Sequence, residues 1–254
     1  MNLTIMTFNL RMDTPDDGKD AWPFRKEHVI QIIKNHSPDV LAIQEGLHHM
    51  ICYLRDALPA YNMIGEGRDG GKSGEYNAVF YKRDVLTLKN QGQFWLSETP
   101  DIPGSISWNS GCKRICTWGN FSYSDNTSNS FYVYNTHLDN VSQNARIKGS
   151  DVITSKVKPM IQKGEAVFLM GDFNCEPDNE VIKHIEVSGL HKLRTDGKTF
   201  HEFKGGITGK QIDHIFVSEQ SEIREVKIDR SHMKGSYPSD HYPVIAKLVC
   251  INEM

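Results

Sequence analysis

FLMGDFNCEPD, Phe168 to Asp178, is the stretch on which the reading of the whole chain turns. The apolar run Val167 to Met170 reads as a buried strand, yet it ends at once in Gly171, Asp172 and Asn174, polar groups that are costly to bury unpaired. Side chains two apart on a strand share a face. The spacing therefore predicts that Asp172 and Asn174 converge on one point while Phe173 turns away.

Other apolar runs end in the same chemical style. Leu3 to Phe8 leads into Asn9-Leu10-Arg11, Val40 to Ile43 into Gln44-Glu45, and Phe131 to Tyr134 into Asn135-Thr136-His137-Leu138-Asp139. Gln211-Ile212-Asp213-His214 opens a strand that runs to Val217, and Ser239-Asp240-His241-Tyr242-Pro243 precedes the last one, Val244 to Ile251. Ala78 to Tyr81 and Ile115 to Phe121 add two more, rich in the β-branched and aromatic residues that suit pleated surfaces. Helical spacing marks Phe24 to His36, Leu47 to Leu58 and Ser142 to Gln162, and Asp178 or Asn179 caps a short helix running through Glu186. No solenoid-period repeat and no low-complexity linker divides the chain, so a single domain over residues 1–254 is expected. Strands and helices mix with meander stretches between Ala78 and Tyr134, which predicts two packed sheets flanked by helices.

Composition removes several function classes. With 38% hydrophobic and 24% charged residues the chain can build a sizeable core. No apolar run reaches the roughly 18 residues of a membrane span, and the first segment reads as a strand, not a signal peptide. Five cysteines, an odd number without paired CxxC spacing, fit reduced thiols better than a disulfide framework or a zinc site, and a cytoplasmic setting is expected. A net charge of -3 without a Lys/Arg block does not advertise broad duplex binding, and nothing points to an obligate protein partner.

If one end of a sandwich collects these strand termini, it gathers Asn, Glu, His, Asp, Asn, Asp and His. Carboxylate and amide oxygens without a cysteine cluster suit a hard cation, Mg2+ or Mn2+, and histidines beside carboxylates suit proton transfer near neutral pH. With arginines to hold an anion, this is a toolkit for phosphoester hydrolysis.

Asn9, Gln44-Glu45, Thr136-His137, Gly171-Asp172-Phe173-Asn174, Ile212-Asp213-His214 and Ser239-Asp240-His241-Tyr242-Pro243-Val244 occur in the order that marks the endonuclease/exonuclease/phosphatase superfamily, the deoxyribonuclease I-like group. The chain resembles its bacterial members most, through Asn9 to Asp13 and the FWLSETP stretch at Phe94 to Pro100. The resemblance implies a four-layer α/β sandwich, two mixed β-sheets face to face with helices outside. It also implies Glu45 as principal metal ligand supported by Asn9, with Asp240 on the metal side. Asp172 and Asn174 then position the attacking water and the scissile phosphate, Asp213 orients His241, and His137 contacts the phosphate or serves the leaving group. Family mechanisms differ on whether His241 or Asp172 is the base. Glu75 is placed as the carboxylate that orients His137, and Arg11 and Arg114 stand where the nuclease branch holds phosphate.

Trp22, Trp95 and Trp108 fall in or near expected loops, where they either stack a base or pack as loop hydrophobes. The inositol 5-phosphatase branch places a Trp before the Gly-Asp and an Arg after the Asn, where this chain has Met170 and Cys175. The leading expectation is a phosphodiester of single-stranded nucleic acid or nucleotide, followed by a small phosphorylated metabolite or lipid headgroup.

Overall fold

The computed structural model describes residues 2–233 and 235–250, and Ile251, the last residue of the expected final strand, lies outside them. In chain order the strands are β1 (Asn2–Asn9), β2 (Val40–Gln44), β3 (Tyr61–Ile64), β4 (Val79–Lys82), β5 (Leu86–Trp95), β6 (Ile115–Tyr123), β7 (Asn126–His137), β8 (Ala166–Asp172), β9 (Leu190–Lys192), β10 (Asp213–Ser218), β11 (Ser221–Ile228) and β12 (Val244–Cys250). The α-helices are α1 (Trp22–His36), α2 (His48–Ala57), α3 (Gln143–Gln162) and α4 (Glu180–Glu186). Two six-stranded sheets form, in the orders β11-β12-β1-β2-β4-β3 and β5-β6-β7-β8-β10-β9. Both are mixed: β1 runs parallel to β2 and β7 parallel to β8, while the remaining pairs are antiparallel.

Layering explains the continuous apolar runs. Every residue of β8 is buried. Phe168 and Met170 point between the sheets, against Val40, Val79 and Val244 of the opposite sheet, whereas Val167 and Leu169 join Ile153 and Val157 of α3 on the outer face. The first sheet does the same, with Ile5 facing inward and Met6 and Phe8 packed against Ile33 of α1 and Leu54 of α2. A strand covered on both faces has no polar side to alternate with, so its sequence reads as one apolar block. Ser142 and Asn179 cap α3 and α4 through their side chains, accepting from Ala145 N and Val181 N.

Strand ends meet at one edge of the sandwich because of register. Asn9 lies opposite Gln44, so Glu45 follows at the same level. Across the other sheet, Asp172 is flanked by His137 on one neighbouring strand and Asp213 on the other. Beneath this edge a buried amide pair joins the two sheets: Gln44 Nε2 donates to Asn135 Oδ1 (2.7 Å), and Asn135 Nδ2 donates to the carbonyls of Ile43 and Ala78 (2.9 Å each). These bonds satisfy the Asn135 amide and the Gln44 NH2 group between two apolar layers, leaving Gln44 Oε1 without a hydrogen-bond partner.

Candidate active site

Asp172 occupies the floor of a cleft of about 380 Å³ whose walls carry Glu45, Arg114, His137, Asn174, Asp240 and His241. Gly171 is what brings it there. The strand at Gly171 (φ 149°) passes so close to β7 that a Cβ would lie 1.9 Å from the Thr136 carbonyl oxygen, and only glycine fits. The convergence of Asp172 and Asn174 is real, but strand alternation does not produce it. The strand stops at Asp172, and Asn174 turns into the cleft on a left-handed backbone (φ 49°) while its amide donates to Asp172 Oδ1 (2.8 Å). Phe173 points away into the outer core, as the spacing predicts. Glu45 (φ 62°) and Arg11 (φ 55°) are left-handed as well, a conformation uncommon outside glycine.

Asn9 spans the two sheets. Its Nδ2 donates to Glu45 Oε1 and Asp172 Oδ2, each at 3.0 Å, and its Oδ1 accepts from the Arg11 amide at 2.9 Å. In this orientation the NH2 group of Asn9 faces the carboxylates and its oxygen faces the Arg11 amide. Glu45 Oε2 accepts from the Met12 amide (3.0 Å). Glu45, His137 and Asp172 each offer a ligand atom within 4.8 Å of the others, as do Asp172, Asp213 and His241. Asp240 lies beside these groups, its Oδ1 4.0 Å from His241 Nε2 and its Oδ2 4.0 Å from Arg11 Nε.

His241 Nδ1 contacts Asp213 Oδ2 at 2.8 Å, and its Nε2 lies 3.8 Å from Asp172 Oδ2. Burial alone disfavours the imidazolium, but Asp213, Asp240 and Asp172 together outweigh it and lift the His241 pKa well above its ordinary value. Burial and the neighbouring Asp213 charge raise the Asp172 pKa, against the pull of His241 and the hydrogen bonds from Asn174 and Asn9. His137 behaves in the opposite way: burial, then Arg114 and His241, push its pKa well down, so it is neutral. Its Nε2 lies 3.4 Å from Asp172 Oδ2, and its buried Nδ1 has no partner.

Glu75 does not orient His137. Both of its oxygens are taken by the Arg68 guanidinium, at 2.8 and 2.7 Å, which leaves no carboxylate for His137 Nδ1. Nothing in the sequence around Arg68 announced this competitor. Arg11 is likewise forked onto Asp17, by 3.0 and 2.9 Å bonds, while lining the cleft. Arg114 is buried in the cleft wall, bonded through Nη2 to Asn140 Oδ1 (3.0 Å), with its Nε 3.7 Å from Asp139 Oδ1 in an ion pair without a hydrogen bond. Asp139 is structural, accepting from the amides of Gly111, Cys112, Val141 and Ser142. None of the three tryptophans lines the cleft: Trp22 packs edge-on against Tyr53, Trp95 Nε1 donates to the Arg68 carbonyl, and the Trp108 carbonyl accepts from Ser142.

An α/β sandwich with an acid-histidine centre at the open ends of its strands defines the class. The chain matches the model of the Endonuclease/Exonuclease/phosphatase family over residues 6–241, and it belongs to that family, whose members hydrolyse phosphoester bonds. An endonuclease/exonuclease/phosphatase from Bacteroides vulgatus is 33% identical, covering 98% of this chain and 99% of that one, with a TM-score of 0.91. A mannosyl-6-phosphatase from Bacteroides thetaiotaomicron is 31% identical, covering 97% of this chain and 99% of that one, with a TM-score of 0.87. The tyrosyl-DNA phosphodiesterase 2 of Rattus norvegicus is 24% identical over 185 residues, covering 71% of this chain and 43% of that protein. Among the described residues no helix is long and apolar enough to cross a membrane.

Proposed function

We propose that the chain is a magnesium- or manganese-dependent phosphoester hydrolase whose substrate is the phosphomonoester of a small hydroxylated metabolite, a sugar phosphate foremost. The observation that carries this reading is Asp172, buried and hydrogen-bonded, set between neutral His137 and the Asp213–His241 ion pair on the floor of a small cleft. Glu45 and Asp240 supply the hard oxygen donors that suit Mg2+ or Mn2+. A cation held there would provide Lewis acidity toward a phosphoryl oxygen.

The protein's own groups divide the remaining work. Asp172, with its proton affinity raised, takes the proton from the attacking water. His241, kept cationic by Asp213, faces the negative charge that builds on the phosphoryl oxygens, and Asn174 and Arg114 add preorganised donors. Neutral His137 donates a hydrogen bond toward the ester or leaving-group oxygen. Asn9 holds Glu45 and Asp172 at a fixed separation.

Two observations support reading a small monoester ahead of nucleic acid. The cleft of about 380 Å³ is near the lower end of the range for small-molecule sites, and its walls mix acids with bases instead of forming a basic track. The similar mannosyl-6-phosphatase spans nearly the whole chain. The likeness to tyrosyl-DNA phosphodiesterase 2 favours the second reading, a phosphodiester of nucleic acid or nucleotide. Initial rates with Mg2+ on mannose 6-phosphate and glucose 6-phosphate, against bis-p-nitrophenyl phosphate, single-stranded DNA and RNA, decide between them. Monoester kcat/KM about 100-fold above the diesters supports the first reading. The reverse order returns the assignment to nucleic acid, and no hydrolysis of either class refutes the hydrolase reading.

A further inference from the structure

Arg25, in the first turns of α1, is an arginine no catalytic expectation touches, and its side chain is 1% exposed. Its Nε donates to the Asp20 carbonyl (2.8 Å), its Nη1 to the carbonyls of Leu10 and Pro238 (the latter 3.0 Å), and its Nη2 to that of Arg11 (2.6 Å). All four acceptors are backbone oxygens. The guanidinium also stands 5.4 Å from the Trp22 ring centroid and 5.7 Å from that of Phe203.

Three of the four acceptors belong to two segments that carry the site. Leu10 and Arg11 directly follow Asn9, and Pro238 directly precedes Ser239-Asp240-His241. The Arg11 amide fixes Asn9, and the Met12 amide fixes Glu45. Arg11 holds its left-handed backbone while its carbonyl points inward to Arg25. A second tie, Ser239 Oγ to the Asn9 carbonyl (2.7 Å), joins the same two segments. An ordinary buried arginine pairs with a carboxylate. This one spends its donors on the loops that hold Glu45, Asn9, Asp240 and His241, and adds a positive charge beneath their acids.

We propose that Arg25 is a positioning residue that locks the Asn9–Met12 and Pro238–His241 segments together, so that the carboxylates of the two halves of the site form one cation-binding and catalytic geometry. The proposal rests on the functional reading above for its kinetic consequences, but its geometric consequence is independent of substrate. Lysine keeps the charge and cannot reproduce a planar fork across three loops, so Arg25→Lys separates geometry from charge.

The test uses the full chain, with Mn2+ affinity measured by calorimetry and by electron paramagnetic resonance, alongside kinetics on the best substrate of the panel. Arg25→Lys is expected to weaken Mn2+ binding several-fold and to lower kcat about tenfold with KM changed less than about twofold. In Arg25→Ala, millimolar methylguanidinium is expected to restore a substantial part of both the Mn2+ affinity and the rate, which a general loss of stability would not allow. Wild-type Mn2+ affinity and kcat in Arg25→Lys would overturn the proposal, as would a folded Arg25→Ala that methylguanidinium leaves unchanged. If the wild-type protein hydrolyses no phosphoester, the functional reading fails and the Mn2+ titrations alone decide the positioning claim.

Discussion

Asp213→Asn isolates the charge that holds His241 cationic. The pair is 2.8 Å apart and both partners are buried. At an effective dielectric of about 20, two unit charges at that separation attract by on the order of 5 kcal/mol, much of it offset by desolvation of the pair. The amide is isosteric and its oxygen still accepts from Nδ1, so the substitution removes charge while keeping the hydrogen bond. The His241 pKa should then fall, with Asp240 and Asp172 left as its remaining acidic neighbours. If its charge stabilises the phosphoryl oxygens, kcat should fall about 100- to 1,000-fold, the scale of losing one preorganised charged donor. The folded-state pKa of His241 is raised, so its stabilising contribution is fully present below the unfolded value and is lost as pH rises through the folded one. The difference in melting temperature between wild type and Asp213→Asn in chelator should therefore be widest near pH 6 and narrow toward alkaline pH. Steady-state kinetics and thermal melts across pH supply both readouts. A variant within about threefold of wild-type kcat at every pH would refute the role given to the pair.

Gly171→Ala should destabilise the fold by at least about 2 kcal/mol in urea titrations, because its Cβ would meet the Thr136 carbonyl oxygen at 1.9 Å. Glu75→Gln should leave kcat within about threefold of wild type, since Arg68 and not His137 is its partner; a loss of about 100-fold or more would restore the orienting role. At the end of β11, burial raises the proton affinity of Asp229, but hydrogen bonds from His36 and Ser231 outweigh it and lower its pKa to about 2. A depressed carboxylate stabilises above its unfolded pKa, so about 2 kcal/mol should be lost as pH falls from about 4 to about 2. Asp229→Asn should flatten that part of the stability profile in acid denaturation.

The strands legible in the sequence are the inner ones. Val40 to Ile43 and Ala166 to Met170 are covered on both faces and are apolar throughout, and Leu3 to Phe8 departs from this only at Thr4 and Thr7. The four that escape it, β3, β5, β9 and β11, are the four sheet edges. Edge strands are short or rich in polar groups, as LHK and SEIREVKI are, because one side meets solvent and must not recruit other chains. The acids and histidines of the site were legible because polar groups closing apolar strands need a reason to be there. Arg25, Arg68 and the Gln44–Asn135 bridge were not assigned roles, for their partners are distant in sequence or are backbone carbonyls. The left-handed turns at Arg11 and Glu45 leave no mark in residue type either, whereas asparagine at 174 is among the residues enriched in that conformation.

In the proposed mechanism Asp172 performs the chemistry at the junction of the two sheets. Its most direct test is kcat for Asp172→Asn at saturating Mg2+ on the best phosphomonoester, with folding and Mn2+ affinity confirmed in the same preparation. A fall of about 1,000-fold or more is predicted, because the amide keeps the shape of the group and loses its proton affinity. A folded, metal-binding Asp172→Asn protein within about tenfold of wild type would contradict it.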